Sequence, residues 1–364
     1  MEQRRLDVRL SCALILRPTL PTPLPPDLPP TLPPAIQRRA WSWRSQAFRG
    51  GVYQVLAVVV IAGLLAFLAH NTLLNMRLRG IQSGFDFLWG PAGFDIGEGL
   101  FTFDSAQSYA MALWAGLLNT LRVAILGIVF TTVIGGLVGV GRFSRNALVR
   151  GLCRVHVEFF RNVPVLLQLL MWYLIFTELL PDALEPWRWG SVFLSKGGLS
   201  FPGPLWVDGA LAWDLPFLGE FAVEGGSALT PEFMALLLGL TVYTSAFVAE
   251  VVRAGIASVP TGQAEAAMAL GLSPRLHMRL VTLPQALRVI IPPLTNQYLN
   301  LTKNSSLAVA IGYPDVVSIA NTAINQTGRA VECIAIIMLV YLATSLSTSL
   351  LMNAYNARTA LRER

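Results

Sequence analysis

Charge is scarce in this 364-residue chain: Asp, Glu, Lys and Arg make up 13% of it, against 54% for apolar residues. A soluble domain carries charge on roughly a quarter of its residues, so most of this molecule's surface is not built for water. Cysteine and histidine are scarcer still, with three of each. Cys12, Cys153 and Cys333 lie far apart, as do His70, His156 and His277. Neither a zinc-ligand spacing nor a nucleophile beside its base is visible, and the cysteines read as free thiols. No GxxxxGK[ST] run is present to cradle nucleotide phosphates. These absences argue against a metalloenzyme, a thiol enzyme and a built-in ATPase, and no cofactor or metal is expected in this chain.

Long apolar runs take the place of charge. A hydrocarbon core of about 30 Å demands about 20 apolar residues in a helix, and six segments qualify: residues 52–68, 113–140, 164–180, 233–252, 289–312 and 333–352. The expected fold is an all-α integral membrane bundle of about six transmembrane helices. Its orientation follows from Lys and Arg, which stay on the cytoplasmic side in short flanking loops. The N-terminal tail carries Arg4, Arg5, Arg9, Arg17, Arg38, Arg39, Arg44 and Arg49. The loop between spans two and three carries Arg142, Arg145, Arg150, Arg154 and Arg161, and that between four and five Arg253, Arg275, Arg279 and Arg288. Arg358, Arg362 and Arg364 close the chain, while only Arg77, Arg79, Arg188, Lys196 and Arg329 fall on the opposite side. Both termini are therefore expected in the cytoplasm. The formal charge of +6 is mostly topology, and with the arginines dispersed at helix ends no nucleic-acid partner is implied.

Four regions follow: residues 1–43, a proline-rich tail; 44–110, a first span and its outer loop; 111–356, the main transmembrane domain; and 357–364, a cytoplasmic tail. Nine prolines between Pro18 and Pro34 read as an extended polyproline-like stretch. The apolar piece at 10–16 is of minimal length for a signal-peptide core and no small-residue cleavage site follows; a translation start near 37–43 is the other reading. The first outer loop holds Asp86, Asp95, Glu98 and Asp104, and the longer one at 181–231 holds Trp187, Trp189, Trp206 and Trp213. Two readings of the tryptophans stand: an interfacial belt, or a face that docks an extracytoplasmic binding protein.

Within the spans, Gly135 and Gly139 form a GxxxG pair, which lets helix backbones approach closely. In the fifth span Asn296, Asn300, Lys303 and Asn304 recur at i, i+4, i+7 and i+8, one polar stripe on an apolar helix. A lysine deep in a span costs about 2.5–3.5 kcal/mol on insertion scales, so it faces a cavity or a partner rather than lipid. The stripe reads either as the lining of a translocation path or as a Lys303 that snorkels or pairs with Glu250 for structural reasons. Pro292 and Pro293 are expected to kink or break this helix near its cytoplasmic end.

The polar loop between spans four and five carries the most specific signal. Residues 264–270 are strong helix formers, with Glu265 expected in a first turn. Gly271 can adopt the left-handed conformation that ends a helix, and Ser273 with Pro274 supplies the N-cap and first position of the next. The run Gly262-Gln-Ala-Glu265-Ala266-Ala267, three residues, Gly271, and later Val281-Thr-Leu-Pro284 closely resembles the EAA motif of ABC importer permeases, with Val281 where the motif has isoleucine. The resemblance implies that this loop is a coupling helix seated in a groove of a separate ATPase subunit, with Gly262, Glu265, Ala266, Ala267, Gly271 and Pro284 transmitting its motion.

Further blocks resemble the polar amino acid branch of these permeases, closest to the membrane subunit of general L-amino acid transport systems. They are Phe160-Arg161-Asn162-Val163-Pro164 with Gln168, residues 243–255, Asn300-Leu-Thr-Lys303-Asn304-Ser-Ser-Leu307, Gly116-Leu-Leu-Asn119-Thr120, and Gly84-Phe-Asp-Phe with Gly93-Phe-Asp95-Ile-Gly. Together they cover about residues 44–356. What this implies is a binding-protein-dependent importer of L-amino acids in the bacterial inner membrane. Its other parts would be a second homologous permease chain, two ATP-binding subunits holding ATP and Mg, and a periplasmic amino acid-binding protein. The alternative is a secondary transporter or channel not coupled to an ATPase.

Overall fold

The computed structural model describes residues 45–78, 80, 83–207 and 210–359; the expectations for the proline-rich tail and for Cys12 lie outside them. The chain divides into two units, 1–74 and 75–364. The first contains most of helix α1 (Gln46–Leu78), most of whose apolar side chains up to residue 74, Val58 and Phe67 among them, are exposed. A helix that is apolar all round suits lipid.

The second unit begins with a 3₁₀ turn at Asp86–Trp89 and continues through α2 (Tyr109–Gly141), α3 (Ala147–Asn162) and α4 (Val165–Leu174). Eight short strands follow, from β1 (Trp187–Trp189) to β8 (Ser227–Leu229), then α5 (Pro231–Ala257), α6 (Thr261–Ala269), α7 (Pro274–His277), α8 (Leu283–Asn304), α9 (Val316–Thr327) and α10 (Ala330–Thr359). Phe48–Leu78, Tyr109–Gly141, Pro231–Ala257 and Ala330–Ala357 are each long and apolar enough to cross a membrane, and the number reaches the expected six where each of two bent helix pairs, 147–179 and 274–327, is counted as one span.

Local sequence starts these helices. The Ser108 hydroxyl accepts from the Met111 amide and begins α2, Asn146 caps α3 in the same way, and Thr230 caps α5 with Pro231 in the first turn. The central contact is α2 against α5, made through the small residues Thr131, Gly135 and Gly139, while Gly116 and Thr120 of α2 meet Val316 of α9 and Gly127 meets Leu301 of α8. A Cβ on Gly135 would sit 2.6 Å from the Val248 Cβ, and one on Gly139 2.7 Å from the Ala249 carbonyl oxygen. The GxxxG pair thus works inside the bundle.

Two expectations are corrected, and the loop at 181–231 has a fold that was not anticipated: β1, β2 (Val192–Ser195), β3 (Gly198–Phe201) and β8 make a four-stranded antiparallel sheet, with two further two-stranded ribbons, β4 (Gly203–Val207) with β5 (Ala210–Asp214) and β6 (Phe217–Leu218) with β7 (Val223–Glu224). The alternation in Val192–Ser195 and Gly198–Phe201 was too short to be legible. Pro292 and Pro293 lie within an unbroken α8; the wide turn sits earlier, at Met278–Thr282, just before Pro284. Glu250 pairs with Arg142 and Arg253 rather than with Lys303. Cys153 and Cys333 are free thiols as expected.

The loop before α2 is tied to the start of α10 within the second unit. Arg329 grips Asp86 through two hydrogen bonds of 2.7 and 2.9 Å, and Glu332 accepts from Ser83 Oγ and the Gly84 amide. Replacing Gly135 by valine would overpack the α2–α5 contact at a cost of about 1–3 kcal/mol, whereas a Cβ on neighbouring Gly136 meets nothing within 4 Å. In mild detergent, Gly135→Val is expected to melt several degrees below Gly136→Val; equal melting temperatures would show that the contact is loose.

Candidate functional site

The loop between α5 and α8 is a rigid knob. Helix α6 ends at Ala269, and Gly271 at φ +76° turns the chain left-handed. The Gly271 amide donates to the Met268 carbonyl at 2.9 Å and the Leu272 amide to the Ala267 carbonyl at 3.1 Å, the paired bonds that close a helix end in a Schellman motif. The Ser273 hydroxyl then accepts from the Leu276 amide, starting α7 as expected. One expectation fails: α6 begins at Thr261, behind Pro260, so Glu265 lies beyond the first turn and Gly262 occupies it.

Burial divides the loop into a root and a crown. Ala267 is buried, and Gln285 of α8 donates to Gln263 of α6 at 3.4 Å. Gly262, Glu265, Ala266, Gly271 and Pro284 are exposed. So are Met268 at 61% and Leu270 at 81%, apolar side chains left bare at the tip. Among the described residues nothing covers them.

The polar stripe lies at the other end of the same rod. On α8 the buried residues are Ala286, Ile290, Ile291, Leu294, Tyr298, Leu301 and Thr302. Asn296, Asn300 and Lys303 point the opposite way and are exposed, with Asn304 half-buried. Lys303 makes no ion pair among the described residues. The stripe is brought together on one face, but this chain alone does not enclose it.

A second polar cluster was missed by sequence reasoning. Arg122 of α2 pairs with Glu98 at 2.9 Å and stacks on Phe233 at 4.1 Å, while the Thr230 hydroxyl donates to Glu98. Asn119 donates to the carbonyls of Glu98 and Pro314 at 2.8 and 2.9 Å. Burial pushes the Glu98 carboxyl above its ordinary range, against the lowering pull of Thr230 and Arg122. The available signal was Arg122 itself: a basic residue inside a span requires a counter-charge. Gln168 is likewise structural, donating to the Phe160 and Val163 carbonyls at 2.9 and 2.8 Å and so fixing the bend between α3 and α4.

The chain is similar to known proteins in sequence and in fold. Residues 131–361 match the family described as "binding-protein-dependent transport system inner membrane component". The chain belongs to this family. It is 44% identical to the general L-amino acid transport system permease protein AapQ of Rhizobium johnstonii, over 89% of this chain and 96% of that one. It is 36% identical to the glutamate/glutamine/aspartate/asparagine transport system permease protein BztB of Rhodobacter capsulatus, over 87% and 95%. Among solved structures, an amino acid ABC transporter crystallised with histidines superposes with a TM-score of 0.52 at 26% identity, covering 69% of this chain and 95% of that chain. The chain is thus a multi-pass inner-membrane transport permease.

Because a Cβ on Gly271 would meet nothing within 4 Å, Gly271→Ala tests the left-handed turn without a clash. The positive φ costs about 1–2 kcal/mol. Amide exchange at positions 271 and 272 is expected to quicken by roughly tenfold in the variant while α5 stays protected; wild-type exchange would refute the turn geometry.

Proposed function

We propose that this chain is the membrane-embedded permease of an ATP-driven, binding-protein-dependent importer of L-amino acids. The observation that carries the reading is the knob: a helix held rigidly at its root, with a bare apolar crown shaped to sit in another protein. Its occupant is an ATP-binding subunit, present in two copies, which supplies ATP and Mg chemistry that this chain has no motif to perform. The arginine distribution supports both termini and this knob on the cytoplasmic side.

The mechanism follows from connectivity. From Pro274 the chain runs through α7, the wide turn and α8 to Ile311 without a non-helical break. About 28 Å of helix, at 1.5 Å per residue, separates Pro284 from Lys303. A displacement of α6 driven by ATPase closure passes through the Gln263–Gln285 contact and the buried Ala267 into that rod. The rod carries Asn296, Asn300, Lys303 and Asn304 with it. Since those side chains face away from their own bundle, a second homologous permease chain completes the path, and a periplasmic binding protein delivers the amino acid. The AapQ and BztB names support amino acids as the cargo class.

Co-purification from mild detergent is expected to capture an ATPase with the native chain but not with Gly271→Trp, whose side chain would project from the exposed turn into the docking face. No ATPase with either form, from a well-folded preparation, would overturn the reading, and uptake that follows an ion gradient rather than ATP would favour a secondary transporter. Lys303→Met is expected to cut amino acid uptake in proteoliposomes by about tenfold, roughly 1.4 kcal/mol, with the complex intact. Wild-type uptake would remove Lys303 from the path.

A further inference from the structure

Helix α3 has three faces where a buried helix has one and a surface helix two. At 100° per residue, Cys153, His156, Val157 and Phe160 fall together and point into the protein: Val157 is buried and His156 Nε2 lies 3.0 Å from Ser245 Oγ on α5. A Cβ on Gly141 of α2 would sit 2.6 Å from Cys153 Sγ. About a third of a turn away, Leu148, Leu152, Val155 and Phe159 form an apolar stripe whose members are 69%, 62%, 64% and 52% exposed. Between these, on the remaining face, lie Arg150, Arg154 and Arg161, all exposed.

The axis direction says what surrounds these faces. Helices α3 and α4 meet at 105°, and the bend is fixed by Gln168 and by Val163 in an extended conformation before Pro164. Since α4 is the apolar arm that enters the membrane, α3 lies close to the membrane plane at its surface. A helix in that plane with one apolar stripe and one basic stripe has the composition of an interfacial helix, and basic residues there attract anionic lipid. We propose that α3 is an anionic-phospholipid docking surface: its apolar stripe enters the acyl boundary while Arg150, Arg154 and Arg161 hold headgroup phosphates.

The arginines are partly pre-ordered for this. Arg150 donates to the Ser144 carbonyl at 3.0 Å, which leaves other guanidinium donors free, and Arg161 stacks over Phe247 at 5.1 Å. Arg154 makes no ion pair among the described residues, and neither does Glu158, the one carboxylate on this helix. A protein partner would need acidic groups above the arginines and an apolar groove beside them at once; a lipid monolayer presents both chemistries at the right depth. The inference rests on the chain being membrane-embedded, not on its cargo or its ATPase.

The test is native mass spectrometry of the full chain from mild detergent, titrated with phosphatidylglycerol or phosphatidylcholine. Wild type is expected to retain phosphatidylglycerol preferentially. The triple variant Arg150→Gln/Arg154→Gln/Arg161→Gln should retain it at least about tenfold less, given that each basic residue near an anionic surface contributes about a fivefold factor. The Lys triple should restore retention, and Arg275→Gln/Arg279→Gln in the knob should leave it unchanged. If the Gln triple fails to fold, Arg154→Gln alone carries the comparison with a smaller loss. Equal retention of both lipids, wild-type retention by the Gln variants, or displacement by millimolar inorganic phosphate would each overturn the proposal, the last in favour of a soluble anion.

Discussion

The close approach of α2 to α5 is the constraint on which the bundle depends. In lipid there is no hydrophobic force between helices, so association rests on van der Waals contact and interhelical hydrogen bonds. Gly135 and Gly139 bring the α2 backbone onto Val248 and Ala249, and the Thr131 hydroxyl donates to the Thr241 carbonyl at 2.9 Å. Charge then pins the pair at both ends. Glu98 joins Arg122 of α2 to the Thr230 cap where α5 begins, and Glu250 of α5 holds Arg142, the C-cap residue where α2 ends. A pair fastened at its middle and both ends acts as a rigid post, against which other helices can move.

Helix α8 is joined to that post differently. Gly255 meets Ile290, where a Cβ would come within 2.3 Å of the side chain, and Tyr298 shares a hydrogen bond of 2.8 Å with Thr132. No described ion pair ties α8 to α2 or α5. Apolar contact is non-directional and tolerates sliding, while salt bridges fix register. The element that joins the knob to the polar stripe is therefore held to the post by packing and a hydrogen bond, with no ion pair among the described residues.

Much of this was legible in the sequence because its signals are local. Apolar length marks a span, Gly271 after a helical run marks a left-handed stop, Ser273-Pro274 marks a start, and the spacing of Asn296, Asn300 and Lys303 marks one face. What was not legible is pairwise and distant. Glu98 and Arg122 lie 24 residues apart, one in a loop and the other within α2, and Asp86 and Arg329 lie 243 apart, so no periodicity reveals them. The strands at 187–229 are two to five residues long, too short for alternation to emerge from a loop's composition. The unbroken α8 shows a different limit: a proline removes one hydrogen bond, but its neighbours decide whether the helix breaks there, and here the irregular turn lies nearer Pro284.

The position of the stripe limits what one copy of this fold can do. A transport path must surround its cargo, because a lysine and three asparagines held against hydrocarbon would each cost free energy with nothing gained. In this chain the face bearing Leu294, Tyr298 and Leu301 is turned inward and the face bearing Asn300 and Lys303 outward. Rotating α8 to bury the stripe would expose the apolar face and break the Tyr298–Thr132 bond, so the inward–outward assignment is set by the bundle itself. An outward polar face on a membrane helix is stable only beside another polar face or water. Under the proposed function, a second homologous permease chain would supply that face.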